Sequence, residues 1–353
     1  MSREDQVADK ITATYDKIDV KVEDIAQEHP EYFVYPFMMK KGRVKKVKSG
    51  LGVGQMLMVD YGGESNFITD MTEDNVQVRD HLEKIRVDFC LQNDSCTYFK
   101  SELQDNAGPE LIANIIEPRK RAMMMRMITT MESKFFDDPE SGNNLVPWGL
   151  KYWIVKNATT GFNGGIPAGF SDIAGITMAQ APAFKNYTGS YAALTEDDMT
   201  LLIKKCIRRT NFRSPISNKN ISGDTYMGNK NIITNETVCE AAEKLATYQN
   251  QNIGNDIAAK TAGGGAFKYD ANGEVVVKRL PIINAWELDS DTSNPIYGLD
   301  LSQFYCLVKS GDDWARTPFT KAPKQHRAYV SHTDHRYQWF CKNRKALWVI
   351  YQS

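Results

Sequence analysis

The 353-residue chain is short of features that would commit it to chemistry. Its six cysteines, Cys90, Cys96, Cys206, Cys239, Cys306 and Cys341, are scattered without a CxxC pair. That spacing fits reduced thiols and argues against a cysteine metal site. No apolar run is long enough to span a bilayer, and MSREDQVADKITATYDK lacks the basic-then-apolar layout of a signal peptide. No membrane partner is expected. Net charge is -1, without the basic excess of a dedicated nucleic-acid binder. GxSxG, HExxH and GxxxxGK[ST] are all missing, which removes the common hydrolase, zincin and P-loop signatures. Missing motifs do not exclude catalysis. Nothing argues for it either, so the expectation is a non-enzymatic protein with no catalytic residue, cofactor or metal.

What is present starts with one long helical pattern, GPELIANIIEPRKRAMMMRMITTMESKFFDD. Leu111, Ile112, Ile115 and Ile116 form one apolar stripe. Met124, Met127, Ile128, Met131 and Phe135 form a second at helical spacing. Pro118 lies between them and predicts a kink or a restart. The rest reads as strands, loops and short helices, for which this helix is the natural spine. A loop, PESGNNLVPWG, and an aromatic segment, LKYWIV, follow it.

Residues 1–28 carry a weak helical pattern with Val7, Ile11 and Tyr15 on one side. The segment 32–62 reads as two extended strands joined by the glycine-rich turn Gly50-Leu-Gly-Val-Gly54. A dinucleotide loop needs a helix after the glycines, and QMLMVDY reads as a strand. Between the apolar residues stand Lys40, Lys41, Arg43, Lys45, Lys46 and Lys48. Packed cations repel unless something answers them, so they are either a solvated strand face or contacts to phosphate or an acidic neighbour. KIRVDFCLQ and CTYFKSEL add strands, making 32–106 a two-stranded excursion. An isolated hairpin is marginal in water, so it should rest on another copy of the protein.

Residues 154–191 are mostly loop, yet Phe162, Ile166, Phe170, Ile173, Ile176 and Phe184 recur as anchors, which suggests an interface or a functional loop. Thr195 is expected to cap a helix through its hydroxyl, with Met199, Leu202, Ile203, Cys206 and Ile207 buried. Lys204, Lys205, Arg208 and Arg209 near its end fit dipole complementation and solvation better than a nucleic-acid patch. From residue 213 a second subdomain begins. NKNIITN is a strand, ETVCEAAEKLATYQNQN a helix, and AFKYD with EVVVKRLPII a hairpin turned at Asn272-Gly273. QFYCLVK, HRAYVSHTDHRYQWFC and KALWVIYQ are expected in one sheet. His332 and His335 with Asp334 resemble metal ligands only superficially, because strand residues three apart face opposite ways. The other histidines are His29, His81 and His326. Asp289, Asp291 and Asp300 fit turn and cap chemistry better than a cation site.

The order of these pieces carries a resemblance. NNLVPWGLKYWIV, GFNGGIPAGF, FKNYTGSYAALTEDDM, DSDTSNPIYGLDLSQF and KAPKQHRAYVSHTDHRYQWFCKNRKALWVI succeed one another as in the major capsid proteins of tailed double-stranded DNA bacteriophages. The resemblance covers roughly 100–353; before that it is one of layout. It implies the Hong Kong ninety-seven type of α+β fold. Residues 1–30 would be an N-terminal arm and 31–106 an extended β-hairpin loop over a neighbour. Residues 107–212 would form a peripheral domain with the spine helix, 213–285 an axial domain, and 286–353 strands returning to the peripheral domain. The implied function is self-assembly into an icosahedral shell around packaged DNA, in hexamers and pentamers. The implied partners are a separate scaffolding protein (residue 31 leaves no room for a fused one), a portal, a decoration protein and non-specifically bound DNA. The implied location is the virion, after assembly in the host bacterial cytoplasm. Lys40, Lys41, Arg43, Lys45, Lys46 and Lys48 become candidate intersubunit or phosphate contacts. The alternative is a nucleic-acid-binding protein using the same 40–48 segment, and a third reading is an enzyme with an unrecognised site.

Overall fold

The computed structural model describes residues 32–40, 44–59, 67, 81–105, 116–211, 230–253, 267–269, 275–278 and 280–353. Among them, one compact unit draws on Leu91–Met131 and Gly311–Arg336. A larger one draws on Glu31–Cys90, Glu132–Ser310 and Tyr337–Ser353. The chain opens with a π-helix, Val34–Lys40, then β1 (Val44–Val47), β2 (Gly52–Met58), β3 (Leu82–Asp88) and β4 (Cys90–Phe99). Three helices follow: α1 (Lys100–Asp105), α2 (Ile116–Phe136) and α3 (Leu150–Trp153). After β5 (Gly161–Gly164) and β6 (Asn186–Tyr191), a π-turn over Glu196–Thr200 leads into α4 (Leu201–Arg209). Then come β7 (Lys230–Thr234), α5 (Glu236–Ile253), β8 (Phe267–Tyr269), β9 (Val275–Val277) and β10 (Leu280–Asn284). The chain closes with β11 (Ile296–Asp300), β12 (Phe304–Lys309), β13 (Ala315–Arg316), β14 (Thr320–Ala322), β15 (Gln325–Cys341) and β16 (Trp348–Gln352).

The larger unit is built on an eight-stranded mixed sheet in the order β5-β6-β16-β11-β7-β10-β9-β8. Its central strands β7 and β11 are buried along their whole length. Such strands read as continuous runs rather than as alternation. Gly298 of β11 lies opposite Trp348 of β16, and a Cβ there would run into the indole ring. Helices α4 and α5 cover the sheet. Ile203, Cys206 and Ile207 from α4 and Val238, Ala242 and Ala246 from α5 share one core with Ile232, Ile296, Trp348 and Ile350. The β8–β9 hairpin forms as expected, with Phe267 opposite Val277; its Asn272-Gly273 turn lies outside the described residues.

Several expectations need correction. KALWVIYQ does not share a sheet with the other two C-terminal strands. β12 pairs with the Tyr337–Cys341 end of β15, whereas β16 lies between β6 and β11 in the eight-stranded sheet. The segment 32–62 does hold two strands on either side of the glycine-rich turn, but its first part is the π-helix and the strands do not pair with each other: β1 runs parallel to β12, and β2 pairs with β3. Pro118 is the third described residue of α2, and the kink or restart expected there adjoins residues outside the described ones. The upstream stripe, Leu111 to Ile115, lies outside the described residues. In the downstream stripe Met127, Met131 and Phe135 are buried as expected, Met124 and Ile128 are only half-buried, and Met123 takes the buried place one turn before Met127. Thr195 makes no side-chain cap bond. The Asp198 carboxylate instead accepts from the backbone N–H groups of Ala192 and Ala193, at 2.7 and 3.1 Å.

Candidate functional site

β1 carries the middle of the basic run against β12. The Lys45 ammonium sits 3.9 Å from the Tyr305 ring centroid, and Lys342 lies 5.6 Å from the same ring. Partial burial and then the neighbouring Lys342 lower the Lys45 pKa. Lys46 and Lys48 are exposed. Lys41, Arg43 and the side chain of Lys40 lie outside the described residues. One further cation belongs to this neighbourhood: Lys309 donates to the Gly50 carbonyl at 2.5 Å. The strip presents positive charge over aromatic faces, an arrangement suited to anionic or polar surfaces.

β2 and β3 form a sheet of two strands, in register from Gly52 opposite Asp88 to Met58 opposite Leu82. Ile85 and Val87 are buried. The other face turns Met56 (61 % exposed), Met58 (62 %) and Leu82 (54 %) to solvent. Clustered exposure of large apolar side chains marks interaction surfaces more often than scattered single ones do. The Arg86 N–H donates to the Ala174 carbonyl at 2.9 Å, tying the hairpin to the 161–186 loop.

Of the six expected anchors of that loop, Ile173, Ile176 and Phe184 are buried, Ile166 and Phe170 are half-buried and Phe162 is exposed. The Tyr152 hydroxyl accepts from the Ala174 N–H at 2.9 Å. The stronger anchor is Arg344, which is fully buried. Its guanidinium donates to the carbonyls of Trp153 (2.7 Å), Phe184 (2.8 Å), Gly165 (2.9 Å) and Gly164 (3.2 Å), and to Asn186 Oδ1 (3.0 Å). Burial lowers its pKa to about 10, so it stays charged, held by carbonyl dipoles. Glu132 of α2 is buried too. Its carboxylate accepts from the N–H groups of Phe33 (2.8 Å) and Val34 (2.7 Å), capping the π-helix from across the chain. Burial pushes its carboxyl up to about 7, against the pull of those two bonds. Sequence reasoning missed both residues. Arg344, in CKNRKAL, looks like a surface turn. Glu132 carried a faint signal, because it falls between Met131 and Phe135 on the apolar face.

The other candidates resolve into structural roles. His335 is buried and His332 exposed, on opposite faces of β15. His335 stacks on Trp314 at 4.6 Å, and burial lowers its pKa to about 4. Asp289 accepts from the Glu236 N–H at the start of α5. Asp300 accepts from Ser302, and Asp291 from Ser293 and, at 2.6 Å, from Lys156. The Lys156–Asp291 and Lys151–Asp138 pairs line a cleft of about 600 Å³ with Pro167, Thr292 and Tyr297. Among the described residues no cluster of His, Cys, Asp and Glu is arranged to hold a metal ion. No described helix is long and apolar enough to cross a membrane.

No protein-family model and no curated protein matches the sequence. Solved structures do match. A subunit of the cyanophage A-1(L) capsid superposes with a TM-score of 0.62 at 11 % identity, covering 94 % of this chain and 96 % of that one. The capsid of a native GTA particle gives 0.50 at 10 % identity, covering 97 % and 98 %. The capsid of Myoviridae phage XM1 gives 0.50 at 9 % identity, covering 96 % and 97 %. The chain has the α+β fold of these capsid subunits over nearly its whole length.

Proposed function

We propose that this chain is a major capsid protein of a tailed bacteriophage, which self-assembles into an icosahedral shell around packaged double-stranded DNA. The observation that carries the reading is the near-complete two-way coverage of the A-1(L) capsid subunit. A shell subunit needs self-association surfaces rather than an active site, and we assign it no catalytic role. The exposed apolar face of the β2–β3 hairpin supports the reading, because a two-stranded sheet gains from covering by a neighbour. The parts follow. Residues 1–30 serve as the arm, 31–106 as the extended loop and 107–212 as the peripheral domain. Residues 213–285 serve as the axial domain and 286–353 as the returning strands. Lys40, Lys41, Arg43, Lys45, Lys46 and Lys48 contact a neighbouring subunit or phosphate. Hexamers and pentamers, a separate scaffolding protein, a portal, a decoration protein and sequence-independent DNA contacts complete the partners. The protein assembles in the host bacterial cytoplasm and resides in the virion.

Negative-stain microscopy of the purified protein tests this. Closed shells, rings or sheets are expected. A persistently monomeric protein whose DNA affinity falls steeply with salt would overturn the reading in favour of a nucleic-acid-binding protein.

A further inference from the structure

Two exposed patches of the larger unit carry opposite charge. The basic one lies at the C-terminal end of α4, where Lys205, Arg208 and Arg209 are exposed and Lys204 is half-buried. Complementing the helix dipole accounts for cations there. It does not account for Lys278, which arrives from the turn after β9. Lys278 is exposed and holds a left-handed backbone, φ 48°, which side chains other than glycine rarely adopt. Val277 and Leu280 on either side of it share a core with Ile203 and Ile207 of α4, and burial, then Arg208 and Lys204, lower its pKa. A strained turn thus adds a cation to a site that is already cationic.

The acidic patch lies on α5. Glu236, Glu240 and Glu243 are exposed at i, i+4 and i+7, on one face of the helix. Asp289 joins them at its N-terminus. Burial, then Glu243, Asp289 and Glu236, push the Cys239 thiol up to about 12, so these acids crowd one spot. Lys244, 3.4 Å from Glu240, offsets only part of that charge. Among the described residues no ion pair joins α4 or Lys278 to α5. α4 packs on β6 and β16 and α5 on β8, β9 and β10, over one shared core.

We propose that the basic patch of Lys204, Arg208 and Lys278 docks on the Glu236, Glu240 and Glu243 face of a second copy, in a head-to-tail contact. The inference rests on the self-assembling reading above and names the surface. Charge balance selects the occupant. The chain holds 43 basic and 44 acidic residues. A polyanion would answer the basic patch and leave the acidic one unanswered, whereas a second copy answers both. Such heterologous contacts close into rings when the rotation permits. Complementary charge sets their register and speeds encounter.

The test uses the full chain and two variants, Lys204→Glu/Arg208→Glu and Glu240→Lys/Glu243→Lys, with folding checked by circular dichroism. Each variant alone should lose assembly by about tenfold or more in sedimentation at physiological salt. An equal mixture of the two should recover it, because each reversed patch then meets its complement. Zero-length carbodiimide cross-linking of isotopically light and heavy wild-type protein should join Lys204 or Lys278 of one copy to Glu240 or Glu243 of another. Cross-links without larger particles would uphold the contact and sink the shell reading. Normal assembly by both variants, with no such cross-link, would overturn the contact and leave the shell reading standing. Loss in both variants without recovery on mixing would also overturn it. So would loss of duplex DNA binding in Lys204→Glu/Arg208→Glu with assembly intact, which assigns the patch to a polyanion.

Discussion

The eight-stranded sheet and the β2–β3 hairpin belong to one unit and are built on opposite terms. The sheet buries its central strands completely, and each nitrogen of a charged arginine at its margin donates to a protein acceptor. The hairpin has two strands and turns three large apolar side chains to water. The first region is complete within the chain. The second leaves an apolar face open among the described residues. A subunit that must fold alone and then associate needs both kinds of surface, and the difference predicts which substitutions damage folding and which damage association.

The largest expected effect is at the margin of the sheet. Arg344→Ala would strand four carbonyls and the Asn186 side chain in a dry site, costing about 3–5 kcal/mol in urea denaturation. A loss of under about 1 kcal/mol would mean that water reaches those carbonyls, and the contrast would weaken. Glu132 sharpens the comparison through pH. Its folded pKa is raised from 4.5 to about 7. Stability from this group is therefore fully present below 4.5 and is lost as pH rises through 7. The wild type should lose about 1–3 kcal/mol across that window relative to Glu132→Gln, read from paired denaturation curves. Parallel curves would refute the raised pKa.

Smaller effects on folding are expected at the exposed surfaces. Replacing Met56, Met58 and Leu82 with serine should change monomer stability by about 0.5 kcal/mol or less per site while impairing assembly. A large loss of monomer stability would show that this face packs internally after all. Replacing Lys40, Lys41, Lys45 and Lys46 with glutamate should also impair assembly more than folding. Normal particles from that variant would remove the basic strip from the list of contacts.

Helix periodicity made α2, α4 and α5 legible, and valine density with a turn signal marked the β8–β9 hairpin. The one-residue error on α2, Met123 buried in place of Met124, arises because consecutive methionines satisfy either helical phase. The order of loop and strand pieces carried the resemblance to capsid proteins although no single motif did. Strand partners were not legible. Periodicity says which face of a strand is buried, not which strand lies beside it, and β16 could be placed with its sequence neighbours or away from them on the same pattern. Thr195 failed as a cap because Asp198 engages the backbone upstream, a competition between two local side chains.

By itself, then, the sequence determined the helices, the strand segments, the near-balanced charge and the ordered piece-by-piece layout, because these follow from local propensity and composition. Tertiary structure alone decided that β2 pairs with β3, that β16 joins β6 and β11, that Glu132 caps a π-helix far away in the chain, and that Arg344 is a core residue. Each of those outcomes pairs groups distant in sequence, and at β16, Glu132 and Arg344 the paired groups are buried. The requirement to pair buried polar groups exists only once the chain has collapsed and water is gone.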